Sequence, residues 1–259
     1  MAEEVVPFQD KPGFGKKTRP EYFRRFTSRQ RIEHVLLLVT FTVLAVTGLA
    51  EKYYDAGWAN WLIMNLGGIA STRLIHRIFG LIFTAGMLAH FGYIFYDATF
   101  KHGKLSMLVS LKDFRDIVDS LRYSFGFSEK PLSYGRYDYR QKFEYWGILF
   151  GSIIMILSGF VLMYPIWITS FLPGQFVAAS QVAHGNEAML AVLTIVIWHL
   201  YDVIFKPSIF PADLSIFSGR ISKKRMIEEH AQEYAELNTP PAQPPAEDPQ
   251  EPSPTPSGK

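Results

Sequence analysis

The sequence predicts an all-α integral membrane protein built as a four-helix bundle. Four apolar segments come close to the length of about 20 residues that a helix needs to cross a bilayer. These predicted spans are residues 32–50, 74–96, 146–171 and 183–205. Hydrophobic residues make up 48% of the chain, so the apolar material suffices for such a bundle even though charged segments separate the spans.

The distribution of lysine and arginine predicts the orientation of this bundle. Eight basic residues precede the first span, and nine lie between the second and third spans. The connection between the first two spans carries only Lys52 and Arg73, and the connection between the last two carries none. Because loops rich in lysine and arginine remain cytoplasmic, we expect both termini and the 97–145 loop to face the cytoplasm.

The predicted domain organisation follows from these spans. Residues 1–31 form a basic cytoplasmic segment, residues 32–206 the four-helix membrane domain, and residues 207–237 a cytoplasmic C-terminal segment. Residues 238–259 contain eight prolines and no aromatic residue, so we expect a disordered tail that cannot bury enough surface to fold.

Two of the connecting segments carry their own apolar pattern. Residues 56–70 include Trp58 and Trp61, which suit a segment lying along the outer membrane interface. Residues 105–126 repeat apolar positions with the period of a helix. This period predicts either a cytoplasmic surface helix or an amphipathic cap on the bundle.

Five of the seven histidines lie inside or at the ends of the predicted spans. They are His34, His76, His90, His184 and His199. An ionisable side chain within a bilayer is costly and is interpreted as functional by default, and imidazole is a common axial ligand of haem iron. We therefore interpret these histidines as haem ligands. The competing interpretation is that they form hydrogen bonds between helices without any haem.

Helix geometry places these histidines at two depths in the membrane. His76 and His90 lie about 21 Å apart along the second span, and His184 and His199 lie about 22 Å apart along the fourth. The second and fourth spans run in the same direction, so His76 is level with His184 near the outer face. His90 and His199 lie nearer the cytoplasm, together with His34 at the start of the first span. The sequence therefore gives one outer pair of histidines, and three candidates for the two ligand positions of an inner haem.

The absence of cysteine from the sequence narrows the cofactor chemistry. It excludes disulfides, cysteine-ligated iron–sulfur clusters and covalently attached c-type haem. Any haem would therefore be bound without a covalent link, and two such centres, each with two imidazole ligands and no open coordination position, would suit electron transfer across the bilayer. Arg73 and Arg77 flank His76 and are candidates for pairing with haem propionates, although basic residues also commonly border spans.

Several short motifs follow one another along the chain. They are Arg31-Ile-Glu-His34, Thr47-Gly48-Leu49, Arg73-Leu-Ile-His76, Gly135-Arg-Tyr137, Gln141-Lys142, Tyr145-Trp146 and Ile197-Trp-His199-Leu-Tyr201. Through these motifs, residues 28–230 resemble the gamma (cytochrome b) subunit of membrane-bound respiratory formate dehydrogenase. Hydrogenase cytochrome b subunits share the pattern, so the resemblance is to this superfamily rather than to one enzyme.

The resemblance implies a four-helix subunit that holds two b haems. Carried over by motif, the outer haem would take His76 and His184, and the inner haem would take His34 and His199. His90 departs from this arrangement. It fits the scheme of the cytochrome b of quinol–cytochrome c complexes, in which the inner haem would take His90 with His199 and His34 would be spare.

The resemblance also implies a quinone site on the cytoplasmic side, for menaquinone or ubiquinone. The segment that enters the third span would form this pocket with the inner-haem histidine of the fourth, which points to Asp138, Gln141 and His199. A quinone carbonyl gains electrons and then protons, so it needs a hydrogen-bond donor and a proton route to water. Asp138 would relay protons from the cytoplasm, and the competing interpretation is a solvated loop aspartate.

These expectations combine into a predicted role. The chain would be the electron-transfer and quinone-reactive subunit of a multi-subunit oxidoreductase in a prokaryotic cytoplasmic (inner) membrane, without a primary substrate site of its own. Its partners would be an iron–sulfur or multihaem cytochrome subunit at the outer face, a catalytic dehydrogenase or reductase subunit, quinone and lipid, and no nucleic acid. The alternatives are a stand-alone transmembrane haem b reductase, and a transporter or anchor whose histidines hold no haem.

Overall fold

The computed structural model describes residues 21–101, 106–129 and 133–238, and these form a mainly helical protein. The helices are α1 Ser28–Lys52, α2 Gly57–Asn65, α3 Ile69–Tyr96, α4 Leu111–Ser124, α5 Tyr139–Met163, α6 Pro165–Thr169, α7 Gln175–Leu193, α8 Ser215–Ser218, α9 Lys223–Glu229 and α10 Ala231–Asn238. The two short strands are β1 Tyr22–Arg24 and β2 Arg220–Ser222. Turns of π-helix extend α3 over Asp97–Lys101 and α7 over Thr194–His199 and Tyr201–Phe205.

The prediction of four spanning helices is confirmed. The helices long and apolar enough to cross a membrane cover Ser28–Lys52, Ile69–Lys101, Tyr139–Met163 and Gln175–Phe205. The chain is therefore a multi-pass membrane protein. Many apolar side chains point away from the bundle, including Leu88, Leu157 and Ile197, and lipid is the environment that suits them.

The boundaries of the third span differ from the prediction of residues 146–171. The helix begins at Tyr139, because Asp138 and Gln141 form a capping box that satisfies its first backbone N–H groups. It ends at Met163, because Pro165 lacks a backbone N–H and starts the short helix α6 instead. Hydropathy locates the apolar centre of a span, whereas local capping chemistry determines its ends.

The four spans associate as two helical hairpins. α1 packs mainly against α3, and α5 packs mainly against α7. Small hydroxyl residues are buried at these contacts, among them Thr40, Thr72 and Ser152. The Thr40 hydroxyl donates to the carbonyl of Leu36 at 2.8 Å, so the helix itself satisfies the buried polar group and the neighbouring helix can approach closely.

Residues 21–27, before the first span, and residues 215–238, after the last, form one extramembrane layer. β1 pairs with β2 in antiparallel register, with Phe23 opposite Ile221. The Arg25 side chain is 3% exposed and pairs with Glu233 of α10 at 2.8 Å. Arg136, which precedes α5, pairs with the same carboxylate at 2.6 Å. Three distant parts of the chain therefore meet at this end of the bundle.

The two connecting segments with an apolar pattern contain helices. α2 lies within the predicted 56–70 segment, with Trp58 and Trp61 exposed, and α4 lies within the predicted 105–126 segment. Residues 1–20 of the predicted basic segment and residues 239–259 of the predicted tail lie outside the described residues.

Candidate functional site

The outer pair of histidines faces across the bundle. His76 on α3 and His184 on α7 have ring centroids 6.3 Å apart, with their planes inclined at 69°. The two residues come from different hairpins, so the pair lies where the hairpins meet. This arrangement agrees with the equal depth that helix geometry predicts for these residues.

A hydroxyl group fixes each outer imidazole from the neighbouring helix. The Thr47 hydroxyl is 2.8 Å from His76 Nδ1, and the Ser158 hydroxyl is 2.9 Å from His184 Nδ1. Each hydroxyl also donates its single hydrogen to a carbonyl of its own helix, so it accepts the hydrogen on Nδ1. This tautomer leaves Nε2 of both imidazoles with a free lone pair, as a metal ligand requires.

A glycine follows each of these hydroxyl residues and makes room for the ring. A Cβ atom on Gly48 would lie 3.0 Å from His76 Cε1, and one on Gly159 would lie 3.3 Å from His184 Cε1. Both distances are tighter than ordinary van der Waals contact. The same hydroxyl–glycine pair therefore holds one imidazole in each hairpin.

The inner pair consists of His34 on α1 and His199 near the end of the fourth span. Their ring centroids are also 6.3 Å apart, with the planes inclined at 40°. Glu144 on α5 accepts from His199 Nδ1 at 3.0 Å, which again leaves Nε2 free. Among the described residues, His34 Nδ1 is a buried nitrogen without a hydrogen-bond partner.

His90 lies apart from both pairs and has a different environment. Its Nδ1 is 3.1 Å from Glu33 Oε2, and its Nε2 is 3.2 Å from the Tyr145 hydroxyl. Both ring nitrogens are therefore engaged with protein groups. Neither nitrogen is free to bind a metal in this arrangement.

The predicted propionate partners lie near the N-terminal end of α3. Arg73 is 60% exposed in its side chain, and its Nε donates to Glu51 at 3.1 Å. Arg77 is exposed. Arg73 thus already has a carboxylate partner on α1. Both arginines lie on α3 within one turn of His76.

The predicted quinone residues lie at the start of α5. Asp138 Oδ1 accepts from the backbone N–H of Gln141 at 2.9 Å, and the Gln141 side chain accepts from the backbone N–H of Asp138. Arg140 pairs with Asp138 at 2.7 Å and with Asp202 of the fourth span at 3.4 Å. The aspartate is thus 7% exposed and ion-paired, and so it is not a freely solvated loop residue. His199 joins this region through Glu144, one turn along α5 from Gln141.

Several residues of the site have no role predicted from the sequence, although three of them stand in its motifs. They are Thr47, Ser158, Glu144, Glu33 and Tyr145. The recurrence of a hydroxyl residue before glycine, once in the first span and once in the third, is a signal that would have found the first two. Glu144 could also have been recognised from the sequence, because it is an acidic residue at the predicted start of the third span.

The histidine pairs suit a cofactor that needs only two protein ligands. Within the described ranges, no group of three or more histidine, cysteine, aspartate or glutamate residues could hold a bare metal ion. Haem supplies four equatorial nitrogens itself and takes axial ligands from the protein. Two opposed imidazoles with free Nε2 atoms are the donor set that such a group needs.

Comparison with known proteins agrees with this geometry. The cytochrome b556(Fdn) subunit of the nitrate-inducible formate dehydrogenase of Escherichia coli K12 is 23% identical over 206 residues, covering 79% of this chain and 86% of the relative. The cytochrome b556(fdo) subunit of formate dehydrogenase from the same strain is 21% identical over 216 residues, covering 82% and 92% respectively. The resemblance drawn from the sequence motifs is thereby confirmed.

A family model decides the classification. The model described as prokaryotic cytochrome b561 matches residues 25–218, which include all four spans and all five intramembrane histidines. This match covers well over half of the chain, and the family implies haem b. The chain therefore belongs to the prokaryotic cytochrome b561 family.

Proposed function

We propose that this chain is the di-haem cytochrome b subunit of a respiratory oxidoreductase, carrying electrons between a partner at the outer membrane face and a quinone near the cytoplasmic face. The outer haem would be held by His76 and His184, and the inner haem by His34 and His199. Haem iron with two imidazole ligands has no open coordination position and exchanges single electrons.

The observation that carries this proposal is the spacing within the two histidine pairs. Two imidazoles that share one metal ion through nitrogen–metal bonds of about 2 Å would have ring centres about 6 Å apart. Both pairs have centroids 6.3 Å apart. Simple packing or hydrogen bonding between helices gives no reason for two pairs at opposite depths to share this spacing.

The surrounding residues support the imidazoles in this role. Thr47 and Ser158 select the tautomer and the orientation of the outer rings, and Glu144 does the same for His199. A carboxylate partner makes an imidazole a stronger donor than a hydroxyl partner does.

His34 is favoured over His90 as the fourth ligand. His34 pairs with His199 and retains a buried, unpartnered nitrogen within the described residues, whereas Glu33 and Tyr145 occupy both nitrogens of His90. We assign His90 to a hydrogen-bonded cluster beside the inner site. The scheme in which His90 and His199 share a haem would require His90 Nε2 to give up its contact with the Tyr145 hydroxyl, whereas the contact of Nδ1 with Glu33 would remain.

The quinone site would lie beside the inner haem, at the start of α5. Gln141 would offer its amide to a quinone carbonyl, and Asp138 would link this position to water. Support comes from the proximity of Gln141, Glu144 and His199, which places polar groups around one end of the α5–α7 contact. Gln141→Ala should slow quinone turnover with haem spectra intact, and unchanged quinone kinetics would count against this pocket.

The partners and the energetics follow from this arrangement. An iron–sulfur or multihaem subunit at the outer face, with a catalytic subunit behind it, would exchange electrons with the outer haem. If electrons enter from outside and quinone takes protons from the cytoplasm, each charge moved against the membrane potential stores about 2.3 kcal/mol per 100 mV. The membrane would be a prokaryotic cytoplasmic membrane, with both termini on its inner side.

A haem count tests the proposal directly. The purified chain is analysed by reduced-minus-oxidised spectroscopy, alongside His34→Ala and His90→Ala variants. We expect two b haems in the unaltered chain and in His90→Ala, and one in His34→Ala. Loss of one haem in His90→Ala but not in His34→Ala would reverse the assignment, and a chain without any Soret band would favour a transporter or anchor. Activity of the monomer with a soluble donor would favour a stand-alone reductase.

A further inference from the structure

α4 carries an apolar stripe that the bundle does not cover. Leu111, Phe114, Val118, Leu121 and Phe125 recur at intervals of three and four residues, from the first residue of the helix to the residue after its end. Their exposed fractions are 78%, 61%, 51%, 52% and 71%, respectively. Exposing a row of five large apolar side chains to water is energetically unfavourable, and such a row marks an interaction site.

α4 is attached to the bundle through its polar side. Asp113 is 6% exposed and accepts from Lys142 Nζ at 2.8 Å and 2.9 Å. The Tyr139 hydroxyl donates to the Ser120 hydroxyl at 3.1 Å. Burial alone would raise the pKa of Asp113, but hydrogen bonds from Lys142 and Ser110 lower it below its ordinary value, so the ion pair persists at neutral pH.

These contacts determine the depth of α4. Tyr139 and Lys142 belong to the first turn of α5, where the chain enters its third span. α4 therefore lies beside the start of the third span, where a helix lying along the membrane would meet the lipid headgroups. The segment before it is held there too, because Trp146 Nε1 donates to the carbonyl of Met107 at 2.9 Å.

The angular arrangement of α4 suits a helix lying flat at this level. With about 100° per residue, the centre of the apolar stripe lies about 130° around the helix from the side that contacts α5. Arg115 and Arg122 lie on the opposite edge of the stripe, and Lys112, Asp116 and Asp119 lie on the far side of the helix. When the stripe points into the acyl chains, the two arginines reach headgroup phosphates and the remaining charges face water.

We propose that α4 is an interfacial membrane helix, with the stripe from Leu111 to Phe125 inserted into the leaflet at which α5 begins and with Arg115 and Arg122 bound to lipid phosphates. The bilayer is preferred to a protein partner because α4 is attached to the first turn of the spanning helix α5 and because Arg115 and Arg122 flank the stripe at the angle that suits headgroup phosphates. The exposed Leu108 and Val109 before α4 and Phe127 after it extend the same apolar surface. This inference does not depend on the haem assignment.

Because the sequence contains no cysteine, a single introduced cysteine can be labelled at a chosen position. Val118→Cys carries a nitroxide label on the stripe, and Asp119→Cys carries the matched label on the water-facing side, in the full chain reconstituted into vesicles of phosphatidylethanolamine and phosphatidylglycerol. Collision rates with oxygen, which concentrates in lipid, and with a water-soluble nickel complex are measured by electron paramagnetic resonance. We expect the ratio of oxygen to nickel collisions to be higher at 118 than at 119.

Two other results would overturn the proposal. A label at 118 that nickel reaches as readily as it reaches 119 would place the stripe in water. A label at 118 that is shielded from both reagents would show that protein, such as a second copy of the chain, covers it. Phe114→Cys and Leu121→Cys repeat the measurement on the same stripe, so the test survives if one variant does not fold.

Discussion

Replacing Thr47 by valine removes one hydroxyl group and leaves the shape of the side chain almost unchanged. The lost group is the one that accepts from His76 Nδ1 at 2.8 Å. Outer partners of metal-bound histidines typically contribute about 10- to 100-fold to metal affinity, or about 1.4 to 2.8 kcal/mol. A neutral hydroxyl acceptor forms a weaker hydrogen bond than a carboxylate, so we expect the lower value, about tenfold weaker binding of the outer haem.

The assay for Thr47→Val is the transfer of haem from the purified protein to excess apomyoglobin, followed by absorbance. Thr42→Val is the matched control, because Thr42 lies on the same helix and its hydroxyl donates to the carbonyl of Leu38 at 2.7 Å, with no histidine beside it. Thr47→Val should release one haem faster than the unaltered chain, and Thr47→Ser should restore retention. Equal haem retention in Thr47→Val and Thr42→Val would refute the reasoning.

The remaining predictions concern packing, a buried charge and pH. Gly48→Ala places a methyl group 3.0 Å from the imidazole beside it and should reduce outer-haem content, whereas Gly147→Ala meets no atom within 4 Å and should not; pyridine haemochrome assays compare them. Glu233→Gln leaves the buried Arg25 without its carboxylate partner. We expect it to lower the free energy of unfolding of the extramembrane layer by about 3 to 5 kcal/mol, measured by denaturant unfolding. Burial acts to raise the pKa of Asp213, but hydrogen bonds from Arg225 and Ser215 lower this pKa to about 2. The ionised Asp213 therefore stabilises the fold fully above the unfolded pKa of 3.8, and this contribution is lost as the pH falls toward about 2. Asp213→Asn should flatten this part of the stability profile, and an unchanged acid dependence would contradict the assignment.

The sequence was sufficient to predict the number of spans and the equal depth of His76 and His184, because both depend on simple regularities. A spanning helix needs a long apolar run, and residues on parallel spans at equal distance from their ends lie at equal depth. The start of α5 could not be predicted in this way. It depends on a capping box of Asp138 and Gln141 within a polar stretch that hydropathy scores as loop.

The inner site shows a second limit of sequence reasoning. Helix arithmetic gives the depth of a residue, but three histidines shared the inner depth. Their surroundings differ through contacts made by Glu33, Tyr145 and Glu144, which come from other helices. Such contacts depend on how each helix is rotated in the bundle, and one sequence alone does not fix that rotation.

The pairing between the two ends of the chain has a consequence for biosynthesis. Arg25 and β1 precede the first span. Their partners, Glu233 of α10 and β2, follow the last. Because the ribosome delivers the chain from the N-terminus, Arg25 remains without Glu233 until all four helices have left the exit tunnel. Closure of this layer therefore follows the synthesis of all four spans, and a chain that stops after its fourth helix would leave an unpaired β1 edge and an unneutralised guanidinium.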